Sequence, residues 1–513
     1  MYNNPMASYD VIIRNGTVFD GKGNKPQKID VGIRNNKIKK IGDLGMERDA
    51  EIIDATDKYV CPGFIDLTNH SDTHWTLFSH PRQESLIRQG ITTILGGNCG
   101  SSIAPIIKGE GIKSISKWTD ISKINVNWQT VDELFSVLEK RKLGLNFATL
   151  IGLNTLKCES NDLKQMKFLL ESSMKEGAFG LSTNSRDDEI IESLFNLVSK
   201  KGGITKHHLE DEGANILPAI SNLIDVARKT KSKLHISHFK VLGKSAWVFF
   251  EDALKMMRNA REEGVALFCD LFPYEKTGSN LFTLLPPWLK KMKESEIIEI
   301  LHSQGDDRRK EAIEYLKNLT LHYDRIVIAS SLFRTGSVGK TILEISKTTG
   351  LLPEELILTI LAENNLRVSI FSEVINPEHL LELAKENYMA FSSDGVGYDI
   401  SSPAIPHPRS FGAFPRAFRL FVKENKILSW EEAIRRMTGL PAEILGINDR
   451  GTIAKGKKAD IIIFNPEEIN DYSTYENPFR FAEGIEYVFI NGEIVLINSE
   501  LTGRFAGRII KKS

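Results

Sequence analysis

Four side chains that can hold a metal or carry a proton lie far apart in the chain, each close behind a short apolar run. Cys99 lies in GGNCG after ITTILGG, His208 follows GITKH, His238 closes KLHISH, and Asp394 closes MAFSSD. Thiolate sulfur and imidazole nitrogen are zinc ligands, and a catalytic zinc site keeps one position open for water. The soft sulfur selects zinc over magnesium or calcium. Zinc brings the pKa of its bound water to about 7, and an aspartate beside it can take that proton and pass it on. Singly, each residue has a plainer explanation: a hydrogen-bonded core histidine, an inert buried cysteine, an aspartate capping a helix. The recurrence of all four behind a strand is what points to one hydrolytic site.

Neighbouring histidines are separated by strand parity. In KLHISHFK, His235 and His238 fall on opposite faces of an extended strand, so one looks inward, and His238 is nearer the strand end. His235 is therefore given a structural role. His207 and His208 are adjacent, so at most one of them faces inward.

The elements that position these residues alternate. LNFATLIGLN, AFGLST, GITKHH, KLHISHFK and VALFCDLFPY read as apolar strands. Between them NDLKQMKFLLESSMKEG, EIIESLFNLVSKKGG, NILPAISNLIDVARKT and WVFFEDALKMMRNAREEG read as amphipathic helices. RIVIAS, LPEELILTILAEN, MAFSSD and SWEEAIRRMTG continue the series. Serial βα units imply a parallel sheet, and so many in a row favour a closed (β/α)8 TIM-like barrel, whose active sites sit at the C-terminal strand ends. The ends differ. Asn15-Gly16 and Asn491-Gly492 each sit between β-rich runs, a hairpin signal. Neither end alone has many strands to bury a core, so both termini are expected to form one small β-sandwich. The expected division is 1–61 with 452–513 for that domain and 62–451 for the hydrolase barrel. A charged helical insertion near 286–325 would cover the barrel mouth.

Composition narrows the partners. The 513 residues carry 66 basic and 67 acidic side chains, a net charge of −1, with no charge excess to draw nucleic acid or an anionic membrane. The four cysteines show no CxxC spacing, so reduced thiols are expected. The first residues lack the pattern of a signal peptide, and no apolar run approaches the ~18 residues of a membrane span. A loose tail over about eight residues, a cytoplasmic location, a small-molecule substrate and room for a homo-oligomer are the expectations.

Longer strings then resemble a known family. PGFIDLTNH at 62–70, GGNCGSS at 96–102, HHLEDEG at 207–213, ISHFK at 236–240, CDLFPY at 269–274, SSDG at 392–395, PHPRSFGAFPR at 406–416 and MTGLPAEILGINDRGTIAKGKKADIIIFNP at 437–466 occur in the order found in the N-acyl-D-amino-acid deacylases (D-aminoacylases) of the amidohydrolase superfamily. The resemblance covers nearly the whole chain. It implies an enzyme acting on carbon–nitrogen bonds other than peptide bonds, cleaving N-acyl-D-amino acids to a carboxylic acid and a D-amino acid. It implies a tight zinc site at Cys99, His208 and His238, with Asp394 as the catalytic aspartate. His70 matches the second histidine of an HxH pair, and Thr68 stands where the first would be. Threonine is a poor zinc ligand, so one tightly bound Zn2+ is predicted. Lys240, Tyr274 and Arg409 match positions that hold the substrate's carboxylate and carbonyl. The planar guanidinium fork of Arg409 suits a carboxylate. Glu210 replaces a usual arginine, and STNSRDDEI at 182–190 replaces a Gly- and Tyr-containing loop, so side-chain specificity is open between Glu210, Asp187 and Asp188 as pocket groups and as solvated charges. Two other readings of the same fold are hydrolysis of a cyclic amide or dipeptide, as in dihydroorotases and hydantoinases, and a non-catalytic binding homologue.

Overall fold

A computed structural model describes residues 8–47, 49–185, 187–319, 321–331, 335–398 and 405–512. The fold is mixed α/β. A three-stranded sheet joins Phe64–Asp66, Ile91–Gly96 and Asn146–Thr149, and all its pairings are parallel. A six-stranded sheet runs in spatial order through Ile151–Gly152, Gly180–Thr183, Ile204–His207, Lys233–Ile236, Leu267–Leu271 and Met389–Phe391, again parallel throughout. Only Leu150 separates the adjoining strands of the two sheets, and a parallel bridge from Asn69 to Gly395 joins their outer ends.

Helices cross between these strands, with local reasons to start and stop. Thr130 and Glu133 form a reciprocal capping box at the head of Val131–Arg141. That helix buries Val131, Leu134, Phe135 and Leu138, a spacing that keeps one face on the core. Asp162 caps Leu163–Lys175 by accepting from Lys164 N, and Gly177, at φ 118°, ends the run that follows.

Strands from both ends of the chain share a seven-stranded sheet. Ile461–Phe464 pairs antiparallel with Tyr59–Pro62, setting Ile461 opposite Pro62 and Ile463 opposite Val60. A four-stranded sheet of Val11–Arg14, Asp30–Arg34, Lys37–Gly42 and Glu51–Asp54 lies against it. Val11, Ile13, Val31 and Ile33 of the smaller sheet pack in one cluster with Val60, Ile461, Ile463 and Phe489 of the larger. The tail expected over residues 1–8 lies, but for Ser8, outside the described residues.

The expected insertion is larger than its charge suggests. Its helices are Glu294–His302 and Asp307–Asn318, but they belong to a unit spanning 276–373 with its own sheet. RIVIAS, read above as a member of the parallel series, instead forms Ile326–Ser330 and pairs antiparallel with Ser369–Glu373, which also pairs antiparallel with Lys276–Asn280. The unit buries its own cluster, including Leu281, Ile300, Leu316, Ile328 and Leu361. It touches the 116–120 loop, where Asn280 donates to Lys117 O at 3.2 Å and Arg367 pairs with Asp120 at 3.0 Å, and the 405–407 segment, where Ile405 N donates to Ala329 O at 3.0 Å. Among the described residues no helix is long and apolar enough to cross a membrane.

Candidate active site

Each candidate residue leaves the C-terminal end of a parallel strand. His70 follows Phe64–Asp66, Cys99 follows Ile91–Gly96, His208 follows Ile204–His207, His238 follows Lys233–Ile236 and Asp394 follows Met389–Phe391. Cys99, His238 and Asp394 sit at φ 53°, 37° and 47°. For non-glycine residues that left-handed conformation costs about 1–3 kcal/mol each and persists where the surroundings enforce it. Gly97, at φ 70°, lets the Cys99 loop form, because a Cβ there would meet Leu150 O at 2.1 Å.

The loops bring three ligand atoms together. Cys99 Sγ is 3.4 Å from His238 Nε2 and 3.4 Å from His208 Nδ1, and all three lie within 4.8 Å of one another. Zinc–sulfur and zinc–nitrogen bonds of about 2.3 and 2.0–2.1 Å set tetrahedral ligands roughly 3.5 Å apart, so this donor set fits one shared ion. Burial pushes the Cys99 thiol up, but His208 and His238 outweigh it and hold the thiol well below its usual range, as the thiolate a metal needs. Burial and Lys240 pull His238 down, while Asp394 and Cys99 raise it to about 9.

Asp394 lies beside this trio. Its Oδ1 is 3.0 Å from His70 Nε2, which is 4.0 Å from Cys99 Sγ. Its Oδ2 is 2.6 Å from Arg409 Nη1, a contact of charges without the alignment of a hydrogen bond. Burial raises its carboxyl, but Arg409, His238 and His70 hold it well below the carboxylate range. His70 is opposed by burial and raised by Asp394 and Cys99 to about 10.

The groups expected to hold substrate are placed differently from one another. The Arg409 guanidinium lies over the Phe272 ring at 4.8 Å, and its buried Nε and Nη1 have no hydrogen-bond partner among the described residues. His407 accepts from Arg409 N at 3.1 Å through Nδ1 and faces Lys276 O at 2.9 Å through Nε2. Lys240 Nζ donates to Glu212 at 2.6 Å and to His238 Nδ1 at 2.9 Å, at the edge of the trio. Tyr274 is not brought to the trio. Its ring stands edge-on to His407, and its hydroxyl is buried without a partner near Gly412.

Glu210, Asp187 and Asp188 have local partners. Glu210 lies 3.4 Å from His207, Asp187 caps the helix Asp188–Lys200, and Asp188 is that helix's first residue. Arg186 of the same loop lies outside the described residues.

Several residues at the site carry no sequence signal on their own. Glu212 bonds Lys240 and lies 3.4 Å from His238 Nδ1; its place in HHLEDEG was the available hint. Asp270 accepts from His238 N at 2.8 Å and from His235 at 2.6 Å, and Thr68 donates to it at 2.6 Å. Parity did not separate the two histidines, because the left-handed turn at His238 resets the alternation. Both face inside, with His235 at the depth of Lys206 and Asp270.

Known proteins resemble this chain over most of its length. The Amidohydrolase family model matches residues 382–496. The N-acyl-D-aspartate deacylase of Alcaligenes xylosoxydans xylosoxydans is 27% identical over 97% of this chain and 94% of its own length. The D-aminoacylase of the same organism is 26% identical, covering 98% of each chain. The crystal structure of N-acyl-D-glutamate deacylase from Bordetella bronchiseptica, complexed with zinc and a phosphonate inhibitor, matches with a TM-score of 0.83 at 24% identity, over 98% of this chain and 100% of that one. The chain thus carries an amidohydrolase-family segment and is related over nearly its full length to the N-acyl-D-amino-acid deacylases.

Proposed function

We propose that this chain is a zinc-dependent amidohydrolase that cleaves N-acyl-D-amino acids to a carboxylic acid and a D-amino acid. The observation that carries it is the convergence of Cys99 Sγ, His208 Nδ1 and His238 Nε2, from three separate strand ends, beside Asp394. In this reading the two parallel sheets close into a (β/α)8 barrel through Leu150 and the Asn69–Gly395 bridge, over 62–451. The two sheets of the terminal segments make one small β-sandwich from 1–61 and 452–513.

Cys99, His208 and His238 would hold one zinc ion, with His70 at the edge of the set; such an ion would supply Lewis-acid polarisation of the scissile carbonyl and activation of water. Ligation through Nε2 requires His238 to carry its proton on Nδ1, and Glu212 is placed to accept it. Lys240 then loses its Nδ1 acceptor but keeps Glu212 and His238 O, which leaves one of its three ammonium protons for substrate. Asp394, ionised at neutral pH, takes the proton of the attacking water and delivers it to the departing amine. Arg409 offers its guanidinium, with Nη1 held against Asp394 and Nε without a hydrogen-bond partner among the described residues, to the substrate's carboxylate. Tyr274 packs its ring against His407, whose Nδ1 accepts from Arg409 N, and so supports Arg409 from behind.

The test is the zinc content of the purified protein, followed by assay of paired N-acetyl-D- and N-acetyl-L-amino acids with and without chelator. Turnover of D substrates, lost to the chelator and restored by zinc, is expected. Zinc-loaded protein that turns over no D substrate would refute the substrate assignment.

A further inference from the structure

Below the trio lies a second meeting point of cation-binding groups, and a side chain fills it. Lys206 is 1% exposed, in the middle of the strand Ile204–His207. Its ammonium donates to Thr68 Oγ1 and to Leu67 O, and lies 3.3 Å from Asp270 Oδ2. Thr68 Oγ1 and His235 Nε2 reach the same carboxylate oxygen at 2.6 Å each. The other oxygen, Oδ1, accepts from His238 N and from Ser392 Oγ, both at 2.8 Å. The Asp270 carboxylate and the Thr68 hydroxyl and Leu67 carbonyl that follow Phe64–Asp66 thus converge on one buried point, and the His235 imidazole reaches the same carboxylate oxygen from a third strand. Carboxylate, hydroxyl, carbonyl and imidazole are ligand types that suit divalent cations.

We propose that Lys206 is a built-in cation that occupies this second position, so that the chain binds a single metal ion however much metal is supplied. The inference rests on the zinc-hydrolase reading above and explains what Thr68 does in place of a ligand. The Thr68 hydroxyl spends its proton on Asp270 and receives one from Lys206. Asp270 has no oxygen to spare. An incoming ion would have to break these bonds and would meet a fixed positive charge in a water-poor interior, where like charges repel strongly. His70, 3.0 Å from Asp394 and 4.0 Å from Cys99, is left as the edge of one site rather than half of another.

The experiment is metal counting, independent of turnover. Native protein, Thr68→His and the double variant Thr68→His/Lys206→Ala are dialysed against rising zinc, and ions per chain are measured by elemental analysis and calorimetry. One ion is expected for the native chain and for Thr68→His, which keeps the ammonium. Two are expected for the double variant, with its melting temperature raised by zinc beyond the rise seen in native protein. A second ion in the native chain or in Thr68→His, at an affinity within about tenfold of the first, overturns the proposal. So does a folded double variant that stops at one. If the double variant fails to fold, the native and Thr68→His counts still decide. A native chain that binds no ion overturns the hydrolase reading, and this inference with it.

Discussion

The carboxylate of Asp394 and the guanidinium of Arg409 are in contact at 2.6 Å, so the group that would move the proton is paired with the group that would hold the substrate. A substrate carboxylate arriving at Arg409 competes with Asp394 for that charge. An opposite charge this close lowers an aspartate by about 1–3 pKa units. Arg409→Met should therefore raise the acid limb of kcat/KM by about 1–3 pH units. A lost charge-assisted contact of about 1.5–3 kcal/mol should also raise KM roughly ten- to a hundredfold. A pH–rate profile of the variant checks both; an unmoved acid limb would mean that Arg409 does not set the ionisation of Asp394.

Asp394→Asn keeps the shape of the side chain and removes the base. A positioned general base is worth about 10²–10⁴ in rate, so turnover should fall by that factor while zinc content stays at the native level. Equal loss of zinc and activity would make Asp394 a ligand instead.

Glu212 supports His238 and Lys240 together. Glu212→Gln should weaken zinc binding about 10–100-fold, the usual cost of losing the carboxylate behind a ligating histidine. The same residue predicts acid sensitivity. Burial raises Glu212, but Lys240 and His238 outweigh it and hold it at about 2, against 4.5 when free. Its folded pKa is depressed, so its contribution to stability is complete above pH 4.5 and is lost as the pH falls toward 2. In chelator-treated protein, melting temperature against pH should be flatter over that window for Glu212→Gln than for the native chain.

Cys99 stands at φ 53°, where an L-residue pays about 1–2 kcal/mol that glycine does not. Cys99→Gly and Cys99→Ala both remove the thiolate, so both should lose zinc alike. Their difference isolates the backbone: Cys99→Gly should be the more stable by about 1 kcal/mol in denaturant titrations, less whatever glycine's looser unfolded chain takes back.

What could be read from the sequence followed from where a residue sits along a strand. Cys99, His208, His238 and Asp394 each trail an apolar run, and that position is a local property. Lys206 is hidden from the same reading, because a lysine inside GITKH looks like a solvent-facing side chain until Asp270 and Thr68, from distant segments, are set around it. RIVIAS misled for a related reason. A run of β-branched residues signals a strand but not its direction, and its partner Ser369–Glu373 lies well downstream. His235 was placed by an alternation that holds only while the strand stays extended, and the chain turns at His238.

The pairing of Tyr59–Pro62 with Ile461–Phe464 also bears on how the chain is made. These partners emerge from a ribosome roughly 400 residues apart, about 20–80 s at typical rates of synthesis. Through that interval the early strands present an open edge to any neighbour in the cell, a hazard that grows with the concentration of nascent chains. Slower growth temperature or a bound chaperone should therefore improve the yield of native protein more than any change at the metal-binding trio.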